Sequence, residues 1–277
     1  MPNTEEYNEQ APTETPVADV EMIEGGADMS SSAALPFAEG GESDPAPLRV
    51  TFMSFLTSPV VTLLVGSGET ETLLTAHQAL LSKSPFFQEH CAQFSDDGSP
   101  RQIELPGDDI EAVGSFLEYL YTGDYFPKKV PGSRQLESDP SVPQVDETGD
   151  QLLKHARVYT LAEKFGVENL KNLAASKIHC VNSTAKGEIS YARYVYAYTS
   201  TGDRTIRAPV ASFWAMRSHT LRSEAEEEFR GLCLEFPQFG YDVLTRVLDE
   251  KLKRERQDKM HPSSGGSARK RARHSNV

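Results

Sequence analysis

The chain has 277 residues, of which 38% are hydrophobic and 25% charged, and a formal net charge of −13. That is room for one or two domains, and no apolar run approaches the roughly 18–20 residues of a membrane-spanning helix, so a spanning protein is not expected, nor a membrane among its partners. The charge is uneven: residues 1–47 hold eleven acidic side chains and no Lys or Arg, residues 251–277 hold nine basic and two acidic ones, and residues 48–250 therefore carry −9. An acidic middle has no basic face to neutralise many phosphates, so nucleic acid is not an expected partner of the folded part.

Residues 1–47 are rich in Glu, Asp, Pro, Gly, Ser and Ala, with apolar residues scattered singly. Such a stretch cannot bury enough surface to offset the entropy of ordering it, so it is expected to be a disordered acidic tail. It holds no charged-then-apolar leader pattern, and no secretory signal is expected. Order should begin near Leu48. Val60 to Val65 (VVTLLV) is a short apolar run, as in a buried strand. Gly66-Ser67-Gly68 follows it. Those glycines invite a phosphate-cradling reading, but a second strand follows (ETETLLTAH), not a helix, so a hairpin turn is expected. Ala79, Leu80 and Leu81 form a short apolar helix. Ser84-Pro85 opens another, because Ser caps and Pro suits the first helical position. Arg101 to Leu105 alternates polar and apolar, the pattern of a half-buried strand.

Asp108 with Glu111 three residues on reads as a capping box, and Ile110, Val113, Leu117, Leu120 and Tyr121 follow at helical spacing. Gly123 ends that helix as a left-handed cap. Residues 127–149 hold four prolines and few apolar groups, and read as an insertion. Two helical stripes follow, Leu152 to Phe165 and Val167 to Ile178. The tyrosine-rich stretch 187–200 fits helix or strand equally. Further helices are expected from Pro209, from Glu224 to Leu234, and from Pro237 to Leu252. From Gln257 the chain turns polar and ends in RKRARHSNV.

Four strings in this order resemble the BTB/POZ domain. TAHQALLSKSPFF (75–87) is similar to its strand–helix junction. Ile103-Glu104-Leu105-Pro106 resembles the end of its third strand. Phe116 to Gly123 (FLEYLYTG) and Leu161 to Val167 (LAEKFGV) resemble its two helix signatures. The resemblance covers about residues 59–183, is interrupted by the Pro-rich insertion, and is closest to the fungal type with a helical C-terminal extension. It implies an α+β fold: a BTB/POZ-like helical cluster with a small β-sheet, followed by an all-helical extension. The expected organisation is a disordered acidic tail over 1–47, the BTB/POZ-like domain over 48–185, the extension over 186–256 and a disordered basic tail over 257–277.

The resemblance also implies a job, since BTB domains bind proteins and are not enzymes. Two features of its transcriptional members are missing. Their charged pair, an Asp early in the first strand and an Arg or Lys after the His, falls here on Val60 and Gln78. Their swapped first helix has only the dozen residues Leu48–Pro59 to occupy. Self-association is therefore expected to be weak. Members that recruit a cullin scaffold carry a hydrophobic-x-Glu motif after the SPxF helix, and Phe94 and Asp96 fall on it, with Asp for Glu. This implies a substrate adaptor of a cullin-based ubiquitin ligase as an alternative to a general interaction module. A nuclear transcriptional regulator, using the basic tail on DNA, is a further alternative.

The remaining candidates give little chemistry. His77 reads as a packed structural histidine. His90 and Cys91 are adjacent but have no second ligand pair at zinc spacing. His155 and His179 lie on separate helices without an acidic partner in register. Cys91, Cys180 and Cys233 are too few and too far apart for a disulfide framework, which fits a reducing compartment. No nucleophile elbow or carboxylate dyad is present, so neither an enzyme nor a cofactor is expected. Tyr191, Tyr194, Tyr196 and Tyr198 could stack bases, but only Arg193 interleaves, so core packing is expected instead. Lys251, Lys253, Arg254 and Arg256 form one basic cluster and Arg269, Lys270, Arg271 and Arg273 a second, with twelve residues between Arg256 and Arg269. That spacing suits a two-part nuclear-import signal, so the expected location is nucleus or cytoplasm.

Overall fold

Val60–Val65 is β1, and its alternation decides where the core lies. Val61, Leu63 and Val65 are fully buried, while the residues between them face outward. The computed structural model describes residues 51–260; the acidic tail 1–47 and the second basic cluster, Arg269 to Arg273, lie outside the described residues. β2 (Thr72–His77) pairs antiparallel with β1, Val60 opposite His77 and Val65 opposite Thr72. Gly66 makes the corner with φ +85°, and a side chain there would meet the Thr70 carbonyl at 2.9 Å. A 3-10 turn over Gly68–Thr70 completes the connection. The expected hairpin is thus formed. β3 (Gln102–Leu105) adds parallel to β1, with Leu63 opposite Ile103, giving the order β2-β1-β3.

The inner face of this sheet (Val61, Leu63, Val65, Ala76, Ile103, Leu105) is apolar and lies on helices. α1 (Phe52–Leu56), α2 (Gln78–Leu81) and α3 (Pro85–Cys91) are short. The Ser84 hydroxyl accepts from the Phe87 amide at 3.5 Å, as a cap should, and donates to the Phe165 carbonyl at 2.6 Å. That bond ties α3 to the end of α5 (Asp150–Lys164). Phe86, Phe87, Phe116 and Phe165 pack there with ring centroids 4.7–5.5 Å apart. Such edge and offset contacts add to simple burial.

α4 (Ile110–Thr122) corrects the expected cap. Asp109, not Asp108, accepts from the Ala112 amide, at 3.0 Å. The turn after β3 already holds the Asp108 amide on the Leu105 carbonyl, and the Asp108 carboxylate takes Lys164 Nζ at 2.7 Å instead. Gly123, at φ +83°, closes α4 as expected.

α6 (Glu168–Ile178) follows α5. α7 (Ala185–Tyr198) settles the open tyrosine-rich stretch as helix and packs on α5. Tyr191 is buried, Tyr194 meets the Thr160 hydroxyl at 2.8 Å, and the Tyr196 hydroxyl donates to Asp242 at 2.8 Å. These three tyrosines pack the extension; Tyr198, expected in the core with them, is instead exposed at the end of α7, its ring 4.7 Å from that of Tyr194. α8 (Arg204–Glu224), α9 (Glu226–Glu235) and α10 (Pro237–Met260) complete it around Trp214, Phe229 and Phe239. α8 departs from expectation: it starts five residues before Pro209, which lies inside it. Asp203 opens the helix by accepting from the Thr205 amide at 3.1 Å, while Pro209 removes one helical donor. One hydrophobic core runs from β1 through α7 to Val243 in α10.

The insertion is partly built. Lys129 and Leu136 form an antiparallel bridge, flanked by a Val130 amide to Gln135 carbonyl bond at 2.9 Å. Its end is structural: Asp146 is buried, and its carboxylate accepts from the amides of Gly149 at 2.8 Å and Leu152 at 3.0 Å. Because the hairpin's ends already touch, excising 130–135 should change stability by about 1 kcal/mol or less. Asp146→Ala leaves two buried donors at the start of α5 unpaired and should cost about 2–3 kcal/mol. Urea denaturation of the two variants checks this contrast.

Candidate interaction surface

α1 precedes β1 directly and is pinned at its C-terminal end. Ser58 Oγ accepts from the Ala79 amide at 3.1 Å, and the Gln78 amide donates to the Pro59 carbonyl at 2.8 Å. Lys83 Nζ lies 4.2 Å from the Phe55 ring centroid. The helix so held buries none of its own residues fully and leaves Phe52, Met53 and Leu56 exposed, with Val60 exposed at the start of β1. The outer side of the sheet adds Leu73, 64% exposed, paired directly with half-buried Leu64. β2 is an edge strand and presents its outer backbone groups. Large apolar side chains are thus left uncovered at an edge strand and a short helix.

A second cluster sits at the loop after α3. Arg101 donates to Asp96 at 2.6 Å and to the Gln78 amide oxygen, and its guanidinium carbon lies 5.9 Å from the Phe94 ring centroid. Phe94 is half-buried against the core, and the Asp96 side chain is almost fully exposed. The sequence pairs Phe94 with Asp96; Arg101 and Gln78 join them only in space. Val60 and Gln78 are neighbours through the Pro59 bond, and Arg101 bonds the Gln78 side chain.

His77 and His90 are committed to structure. His77 Nδ1 lies 2.7 Å from the Tyr121 hydroxyl, which also accepts from the His77 amide. His90 Nδ1 bonds the Phe86 carbonyl at 2.8 Å. Burial pushes the thiols of Cys91 and Cys233 up, away from thiolate. Among the described residues no group of three or more His, Cys, Asp or Glu side chains could hold a metal, and no helix is long and apolar enough to cross a membrane.

Sequence reasoning missed one polar cluster. Lys177 of α6 is fully buried, donating to Asp124 at 2.6 Å and to the Tyr125 carbonyl, with Nζ 3.7 Å from the Tyr125 ring centroid. The Tyr125 hydroxyl meets His155 Nδ1 at 2.9 Å. Burial, then the nearby charges of Lys177 and Lys154, hold the His155 pKa down to about 3. The unfolded chain takes up this proton near pH 6.5, so stability is lost as pH falls from about 6.5 towards 3, by at most ~1.4 kcal/mol per pH unit. His155→Gln, which keeps an acceptor and cannot titrate there, should flatten the urea midpoint over that range.

A family model described as BTB/POZ domain matches residues 60–179. No curated protein matches the chain. The match spans the whole sheet, the aromatic cluster and the buried lysine. It begins at the first residue of β1 and ends just past α6. With the four sequence strings inside those bounds and the α+β architecture around them, the chain carries a BTB/POZ domain over residues 60–179.

Proposed function

We propose that this protein works as a non-enzymatic docking module whose partner-binding face is α1 with the outer side of the sheet. The observation that carries this is the exposure of Phe52, Met53, Val60 and Leu73 on one α1–β1–β2 unit. A photo-crosslinking residue at Met53 should trap discrete protein adducts in cells. The same residue at Glu111, exposed on α4, should not. Equal labelling from both positions contradicts the assignment.

A narrower reading is a substrate adaptor for a cullin-based ubiquitin ligase. The Arg101 cluster supports it, because it presents an aromatic ring and a carboxylate from one loop. Truncating an interface aromatic costs about 2–4 kcal/mol, so Phe94→Ala should weaken binding to a purified cullin N-terminal domain roughly thirtyfold or more. Half-burial of the ring sets a smaller stability loss of about 1–2 kcal/mol. Wild-type protein that does not bind the cullin domain sinks this reading. Nuclear import is also proposed: Lys253, Arg254 and Arg256 are exposed on α10, and they precede the second basic cluster in sequence. A regulator acting on DNA through its tail would show binding that weakens steeply with salt and is lost without residues 251–277.

A further inference from the structure

We propose that the cleft between the insertion and the start of α5 is a second recognition site, one that takes an extended, apolar peptide segment of another protein with a basic side chain at its flank. The cleft has a volume of about 540 Å³, inside the roughly 300–1,000 Å³ range of ligand sites. None of its lining comes from α1 or the sheet, so it is distinct from the docking face proposed above.

His155 lines the cleft and is 1% exposed. Its Nδ1 meets the Tyr125 hydroxyl, which has no other bonding partner among the described residues. The hydroxyl hydrogen therefore goes to Nδ1, and the neutral ring carries its own proton on Nε2. That N–H has no partner among the described residues. Trp214 Nε1 is the one sealed polar side-chain atom among them without a partner, so Nε2 is not sealed and opens on the cleft. Burial keeps the ring uncharged, and what it offers is a single neutral donor.

The rest of the lining says what meets that donor. Gln144, Gln151 and Asn182 bring carboxamides to the same cleft, and each carboxamide both donates and accepts. Gln151 is held in place by donating to the Pro143 carbonyl at 2.7 Å. A peptide backbone carries the same amide groups. An extended chain presents them to a partner, whereas a helix spends them on itself. Leu136, Pro140, Val142 and Val181 supply apolar wall for its side chains. The charges argue against an anion. Lys154 is the one cation of the lining, and Glu137 and Asp139 stand there with it. Residues 48–250 carry −9 as a whole, so a Lys or Arg on the incoming segment is attracted both at the cleft and at a distance.

The test selects random peptides of about a dozen residues, displayed on phage, against the full chain, and titrates a synthetic binder by fluorescence anisotropy. Binders should set Lys or Arg beside apolar residues. Val142 is 41% exposed in the cleft, and Val142→Glu should weaken binding roughly tenfold or more with an unchanged thermal melt. Val130 is 38% exposed in the same insertion but outside the cleft, and Val130→Glu should leave binding alone. Met53→Glu, which reports on the α1 face, should do the same. The His155 Nε2–H signal should shift in nitrogen-edited NMR spectra when the peptide is added. No peptide bound more tightly than about 1 mM, binding indifferent to Val142→Glu, binding lost with Met53→Glu, or an unmoved Nε2–H signal each overturns the inference.

Discussion

Asp124→Ala should destabilise the fold by about 3–5 kcal/mol, because it leaves the Lys177 ammonium buried without its counter-ion. Lys177 has no solvent exposure and its partners are Asp124 and the Tyr125 carbonyl. Desolvation already pulls its pKa below the ordinary lysine value, against the opposing pull of Asp124. The pair is asymmetric, since the Asp124 side chain is 30% exposed and can turn to water. Lys177→Met should therefore cost less than Asp124→Ala, about 1–2 kcal/mol, most of it from the Tyr125 carbonyl left without a donor. Urea titrations at neutral pH compare the two. The ion pair joins the end of α4 to α6, so its loss should also loosen the chain entering the insertion. A larger loss for Lys177→Met would contradict this account of the cluster.

Gly187→Ala should cost about 3 kcal/mol, against the helix propensity gain of roughly 1 kcal/mol that alanine brings elsewhere. A methyl group at Gly187 would lie 2.1 Å from Ser183 Oγ, 2.7 Å from the Asp146 carbonyl oxygen and 3.1 Å from the Gly149 amide nitrogen. The serine could turn away, but the other two atoms are backbone. They belong to the turn that Asp146 holds over the start of α5, so the clash would push α7 off α5. Gly114→Ala is the control. It lies inside α4 with nothing within 4 Å of its added carbon, and should be stabilising by about 0.5–1 kcal/mol. Thermal melts of both variants test the opposite signs.

Much of the domain was legible because its signals are local. The β1–β2 turn glycines, the Ser84-Pro85 start and the Gly123 stop each act within a few residues. What escaped depended on distance. Lys177 reads as a surface lysine until Asp124, 53 residues earlier in sequence, is seen beneath it. Asp146 reads as part of a polar loop, yet its carboxylate caps a helix and its backbone pairs with the Ser183 segment. Asp108 and Asp109 are equivalent by spacing, and only the turn on the Leu105 carbonyl chooses between them. Pro209 reads as a helix start because proline favours the first turn; the Asp203 cap moved that start upstream. α1 has no apolar periodicity long enough to announce it. At the surface sites, Phe94 and Asp96 were visible as a string, but Arg101 and Gln78 complete the cluster only through the fold. The exposure of Met53 and Leu73 is likewise a property of the assembled sheet, since each reads as ordinary core material in sequence.

The most direct measurement is affinity capture of the intact protein beside a Met53→Glu, Leu73→Glu double variant, with the captured proteins quantified and the thermal melts compared. Both residues are 64% exposed, so the fold should survive with its melting temperature unchanged. The account predicts that wild type retains at least one protein in near-stoichiometric amount and that the double variant loses it. Identical captured sets from two equally folded proteins would contradict it.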